Sequence, residues 1–345
     1  MRSAWNIYFL LIVWLASLLL ILVLAGGFTL WDRYVTVTLS PTSDESSYFL
    51  VPRGASVRHI AQQLEQEGLV TDARGLVWMA RLTGQANRIR AGEYRISPGM
   101  SLSALFDDMV AGRVVMHSIT IPEGVTFAQF RERIAAAEGL RHTVTDLDDQ
   151  ELLAKLGIEY EHPEGWFFPD TYRYQRGDSD IEIYRQAHQA MVELLEQAWA
   201  QRDKSIPLSD PYEALILASI IEKETGLPDE RAKIAGVFIN RLNRGMRLQT
   251  DPTVIYGLGE NYRGTLYRSD LERDTPYNTY TRAGLPPTPI ALPGRAAIEA
   301  AVRPEKTDAL YFVADGQGGH VFSRTLNEHN RAVQAYRRAL RAQAQ

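Results

Sequence analysis

Residues 212–225 read YEALILASIIEKET, and within them the run Ala214 to Ile221 is apolar on nearly every side of a helix. A helix of that kind is enclosed by protein, so it marks the centre of a folded unit. Glu222 closes the run. At 100° per residue it lies about 40° from Ala218 and about 20° from Leu215, continuing the buried stripe, whereas Glu224 lies about 200° further round. Desolvation is therefore expected to raise the Glu222 carboxyl and keep it protonated near neutral pH, as a general acid requires. Glu224 is expected to be an ordinary solvated anion. The alternative is that Glu222 only ends a buried helix and pairs with Lys223 or Arg231.

Downstream, Pro228-Asp229-Glu230-Arg231 opens a second helix through Ala235, Val237, Phe238 and Leu242, stopped at Gly245-Met246. The following stretch, Arg247 to Thr253, crowds polar groups into a turn. Gln249, Thr250 and Asp251 either line a cleft or fix a loop through local side-chain-to-backbone bonds. A second polar loop, Pro276-Tyr277-Asn278-Thr279-Tyr280-Thr281, sets aromatic faces beside amides and hydroxyls, a composition that suits sugars and equally suits rigid loops. Tyr311-Phe312-Val313 and Val321-Phe322 read as a hairpin, with Gly316, Gly318 and Gly319 in its turn and His320 capping it. Leu326 to Gln345 is a final amphipathic helix with Arg331, Arg337, Arg338 and Arg341 on a solvated face.

Upstream, Ile181 to Gln201 carries apolar residues at i, i+3 and i+4 spacings, and Gly165 to Tyr172 is a compact aromatic loop. Three segments share one pattern of turn glycine, hydroxyl N-cap and amphipathic helix: Gly54 with Ser56, Gly99 with Ser101, and Gly124 with Thr126, where Gln129 completes a capping box. A strand-like run precedes each, at residues 48–51, 93–96 and 118–121. The first two units form a small α/β domain, serving either as a spacer or for carbohydrate binding.

Residues 7–24, IYFLLIVWLASLLLILVL, are long enough as a helix to cross a hydrocarbon core of about 30 Å. A cleaved signal peptide has a shorter apolar region of about 7–15 residues and a small-x-small cut site, so an uncleaved anchor is expected. Trp5, Tyr8 and Trp31 form its interfacial belts, and the N-terminus is cytoplasmic because Arg2 and the terminal amine precede the span. The 345-residue chain as a whole is ordinary in composition, 45% apolar and 23% charged. With 37 basic and 42 acidic side chains its net charge is −5, so it lacks the positive field that nucleic-acid binding needs. It has no cysteine, and its seven histidines form no HExxH pattern, so neither a metal nor another cofactor is expected.

Several long motifs closely resemble the endolytic murein transglycosylases, also called MltG or YceG-like proteins. They are EGWFFPDTY (164–172), LASIIEKET (217–225), AGVFINRLNRGMRLQTDPTVIYGLG (235–259), TPYNTYTRAGLPPTPIALPG (275–294) and LYFVADGQGGHVFSRTLNEHN (310–330). The resemblance implies an α+β chain in three parts. These are a cytoplasmic stub and transmembrane anchor (1–33), a small LysM-like membrane-proximal α/β domain (34–118) and a larger mixed α/β catalytic domain (119–345). It implies a lyase of the inner membrane, with its catalytic domain in the periplasm, that cuts nascent peptidoglycan glycan strands internally. Cleavage between N-acetylmuramic acid and N-acetylglucosamine leaves 1,6-anhydro ends, with peptidoglycan synthases as partners. Carried over, the catalytic glutamate falls on Glu222. The substrate-binding set is Glu164, Gln249, Thr250, Asp251, Asn278 and Tyr280, with Asn240 and Arg241 supporting the cleft from below. The alternatives are a non-catalytic glycan-binding or cell-wall assembly protein, or a hydrolase using the same glutamate.

Overall fold

The computed structural model describes the backbone of residues 2–40 and 46–343. The chain divides into two compact units, residues 1–117 with 174–178, and residues 118–173 with 179–345. In the first unit, helix α1 (Arg2–Val35) contains a 21-residue stretch, Phe9–Thr29, long and apolar enough to cross a membrane, and none of it is covered by the rest of the protein. Trp31 is exposed. The side chains of Trp5 and Tyr8, expected at the interface, lie outside the described residues.

After α1 the chain is tied into a small core. Val35 and Leu39 are buried there, Leu39 N–H donates to Met100 O and Leu102 N–H donates to Val37 O. Strands β1 (Ser47–Val51) and β2 (Gly92–Ile96) pair antiparallel, from Ser47 opposite Ile96 to Val51 opposite Gly92. Helices α2 (Val57–Gln66) and α3 (Arg74–Leu82) lie between them in sequence, and α4 (Leu102–Ala111) follows. The hydroxyls of Ser56 and Ser101 accept from His59 N–H and Ala104 N–H, closing the free N–H groups at the starts of α2 and α4. Alternate strand residues, Phe49 and Val51, Tyr94 and Ile96, turn inward onto Ile60, Leu64, Leu76 and Leu105. Buried Glu93 is compensated by His117 Nε2 and Arg176 Nε, each at 2.6 Å.

The second unit holds most of the helices. Strand β3 (His117–Thr120) pairs with β4 (Thr171–Tyr174). Between them run α5 (Phe127–Ala135) and α6 (Asp149–Leu156), each opened by a reciprocal capping box, Thr126 with Gln129 and Asp148 with Glu151. Then come α7 (Asp180–Ala200), α8 (Pro211–Glu224), α9 (Pro228–Asn243), α10 (Asp251–Leu258), α11 (Arg268–Glu272) and α12 (Arg295–Val302). Strands β5 (Tyr311–Ala314) and β6 (His320–Ser323) form a hairpin, and α13 (Leu326–Gln343) ends the described chain.

Helix α8 is the axis of this unit, packed by α7, α9, α10 and above all α12. Every residue from Ala214 to Ile221 is buried, including Ser219, whose hydroxyl donates to Ile216 O and accepts from Ile290 N–H at 3.0 Å. The polar turn expected at 247–253 is resolved into a loop and the first turn of α10, with Thr250 at its N-cap and Pro252 in its first turn, where no N–H is needed.

Candidate active site

Because α8 is covered on all sides, both glutamates of its last turn are drawn into protein surroundings, and those surroundings differ. The Glu222 side chain is 6% exposed. Its Oε2 accepts from Gly294 N–H at 3.0 Å, and its Oε1 lies 3.7 Å from Arg231 Nη2. Burial raises its carboxyl, Gly294 opposes the rise and neighbouring Glu123 adds to it. The expected desolvation is present, and so is the alternative, a pairing with Arg231.

Glu224 departs from expectation. It is no solvated anion: burial raises its carboxyl, the Thr250 hydroxyl donates to its Oε1, and the charge of Asp251 raises it further. Lys223 between the two glutamates is exposed, but the position about 200° round from Glu222 meets the 247–251 loop instead of water. Glu224 opens on a cavity of about 460 Å³ that also takes in Arg241, Gln249, Asp251 and Tyr280. Four of the expected site residues thus gather around Glu224.

The floor of this cavity is built from α9, the 247–250 loop and the 276–281 loop. Arg241 is buried, and its guanidinium donates to Leu310 O at 2.7 Å and Leu248 O at 2.6 Å, which ties β5 to the loop before α10. Its neighbour Asn240 donates to Thr307 O and Ala309 O. Both brace the 307–310 segment through its carbonyls, and of the two only Arg241 lines the cavity. Thr250 N–H donates to Thr279 Oγ1 at 3.1 Å, and the Thr253 hydroxyl donates to Thr250 O at 2.7 Å, so a fully buried threonine cluster fixes the hydroxyl that meets Glu224. Gln249 is the one described non-glycine residue with positive φ, +50°, and its exposed side chain lines the cavity. A bulky residue held in that region marks a backbone fixed by its surroundings. Tyr280 donates its hydroxyl to Asp251 Oδ1 at 2.5 Å.

Two expected substrate-binding residues stand elsewhere. Asn278 is wholly buried; its amide donates to Leu271 O and Arg273 O, and its Oδ1 accepts from Tyr280 N–H at 2.8 Å. It shapes the loop that presents Tyr280. Glu164 is 3% exposed, accepts from Phe127 N–H and the Tyr256 hydroxyl, and does not line the Glu224 cavity. Burial pushes its carboxyl up to about 7 against those two hydrogen bonds. Sequence reasoning missed the other wall, Tyr311, Phe312 and Val313 of β5 with His329 of α13, where a hairpin and a solvated helix were expected without a site. The unbroken apolar run of β5, half-buried at every position, was the available signal.

A model of the YceG-like family matches residues 49–335. The chain is 34% identical over 328 residues to the endolytic murein transglycosylase of Bacillus subtilis, covering 90% of each chain. It is 28% identical over 351 residues to the enzyme of that name from Streptococcus pneumoniae D39, covering 91% of this chain and 63% of that one. The crystal structure of a yceG-like protein from Listeria monocytogenes matches with a TM-score of 0.54 at 34% identity, covering 84% of this chain and 99% of that one. On these matches, together with the motifs around the Glu224 cavity, the chain belongs to the YceG-like family.

Proposed function

We propose that this chain is a membrane-anchored endolytic murein transglycosylase whose acid and base is Glu224, the assignment moving there from Glu222. The observation that carries the choice is the cavity. Glu224 alone of the two lines it, beside Gln249, Asp251 and Tyr280, while the two oxygens of Glu222 face Gly294 and Arg231. With Thr250 donating to Oε1, the proton of the neutral acid sits on Oε2, directed at substrate.

In the reaction, Glu224 gives that proton to the glycosidic oxygen as its bond to C1 of N-acetylmuramic acid breaks. The substrate's own C6 hydroxyl oxygen then bonds to C1, and its proton passes to the Glu224 carboxylate, restoring the acid. No water enters, so the second carboxylate of two-carboxylate glycosidases is not needed as a nucleophile or base. The Asp251 carboxylate, fixed by Tyr280, faces the positive charge that develops at C1. Gln249 supplies an amide to sugar hydroxyls.

In this reading residues 1–33 are the stub and anchor of a single-pass inner-membrane protein with a cytoplasmic N-terminus. Residues 34–118 form a LysM-like membrane-proximal part, residues 119–345 form a periplasmic catalytic part, and glycan synthases are partners by family resemblance. The test is product analysis by mass spectrometry with the full chain in detergent on uncrosslinked glycan. The expected ends are lighter by one water than reducing ends and vanish in Glu224→Gln. Reducing ends would mean hydrolysis, and no cleavage at all would favour a binding protein.

A further inference from the structure

At the opposite end of α8 lies a larger cavity, about 720 Å³, that the cleavage chemistry does not use. Tyr212, in the first turn of α8, lines it with Tyr160 and Trp166. The three rings stack in parallel, Trp166 with Tyr160 at 3.7 Å and 4° and with Tyr212 at 5.6 Å and 6°. Four acids also line it, Glu159, Glu161, Glu196 and Asp210, beside apolar Val192, Leu195 and Pro287, and no Lys or Arg does. Asp210 caps α8 by accepting from Glu213 N–H, and among the described residues none of the four is in an ion pair. His162 adds no countercharge: burial lowers its pKa, and its Nδ1 accepts from Glu164 N–H. The indole N–H of Trp166, a residue 5% exposed, has no acceptor among the described residues.

Anions are repelled by such a lining, and neutral sugars gain nothing from its charge. An ammonium on an aliphatic stem gains from both parts, since the carboxylates attract its head and an outer face of the ring stack takes its methylenes. We propose that this cavity is a second binding site for a primary ammonium on an aliphatic stem, and that its occupant is the free side-chain amine of a diamino acid in a murein stem peptide. The choice of occupant rests on the murein reading above. Tyr212 and Glu224 lie twelve positions apart on one helix, roughly 18 Å along its axis, so the ligand that meets both is a peptide-bearing glycan rather than one sugar. A cross-link acylates the amine and removes its charge, so the site favours stems whose amine is still free.

Calorimetry on the full chain in detergent tests this with an N-acetylated, C-amidated Ala-γ-D-Glu-Lys peptide, its Nε-acetyl form, and glucosamine. The free-amine peptide is expected to bind saturably, and its Nε-acetyl form roughly fivefold more weakly. The double variant Glu161→Gln/Glu196→Gln, at two exposed positions, is expected to weaken the first peptide by about as much and leave the second unchanged. Equal affinity for the two peptides, an unaffected double variant, or glucosamine binding in place of the peptide overturns the proposal. Binding is read apart from cleavage. A chain that selects the free amine but cuts no glycan supports the cavity and contradicts the reaction, and a chain that cuts but does not distinguish the peptides overturns the cavity alone.

Discussion

The two glutamates that end α8 stand two residues apart and are both raised by burial, yet of the two only Glu224 lines the cavity of about 460 Å³ beside the 247–251 loop. Glu222 meets a backbone N–H and a guanidinium, with Glu123 close by. Glu224 meets a hydroxyl fixed by a threonine cluster and, beyond it, a cavity. Burial raises both carboxyls; what makes an acid useful is that its proton has somewhere to go. Glu164 sharpens the point, because it is buried and raised to about 7 without lining that cavity.

The largest expected effect separates the two glutamates directly. Glu224→Gln should lower the rate of anhydro-end formation by about 10²–10⁴ with the melting temperature little changed. Glu222→Gln keeps a carbonyl for Gly294 N–H and should hold the rate within about tenfold while shifting stability by no more than about 2 kcal/mol. The reverse order of the two rates would return the acid role to Glu222. Next in size is Asn278→Ala, which strips Arg273 O, Leu271 O and Tyr280 N–H of their partner. Chemical denaturation should show a loss of roughly 2–4 kcal/mol, and a loss under about 0.5 kcal/mol would mean that the loop is held otherwise.

Much of this arrangement is legible in the sequence. The apolar run 214–221 announces a buried helix, Ser56, Ser101 and Thr126 announce helix starts, and all appear where expected. The polar residues after Gly245 belong to the site because a turn so rich in hydrogen-bonding groups must satisfy them locally or present them. Helix angle alone could not choose between Glu222 and Glu224, since angle says which way a side chain leaves its axis and not what stands opposite. What stands opposite Glu224 arrives from residues 249–251, 280 and 311–313, and that assembly is set by tertiary packing. For the same reason Asn278 and Glu164, polar residues in polar motifs, proved to be bracing rather than lining.

A smaller effect concerns Glu164 as the buried acid away from that cavity. Its folded-state value of about 7 exceeds the ordinary 4.5. Stability from its neutral form is therefore full below about 4.5 and is lost as pH rises toward and through 7. Glu164→Gln should flatten the melting temperature between those limits, by the equivalent of roughly 2–3 kcal/mol, and leave strand cleavage within a few-fold. An unchanged pH slope would contradict the burial account. Smallest is Thr250→Val, which removes a donor that favours the Glu224 anion. The rate should fall about tenfold, and the pH above which activity declines should move up.

The pH dependence of kcat/KM for wild-type strand cleavage bears most directly on Glu224 as an acid held neutral by its surroundings. Because the reactive form is protonated and its pKa is raised, activity is predicted to persist above the ordinary carboxylate value of 4.5 and to decline at a higher pH that Thr250→Val raises further. A decline centred at or below 4.5, unmoved by that variant, would contradict the account.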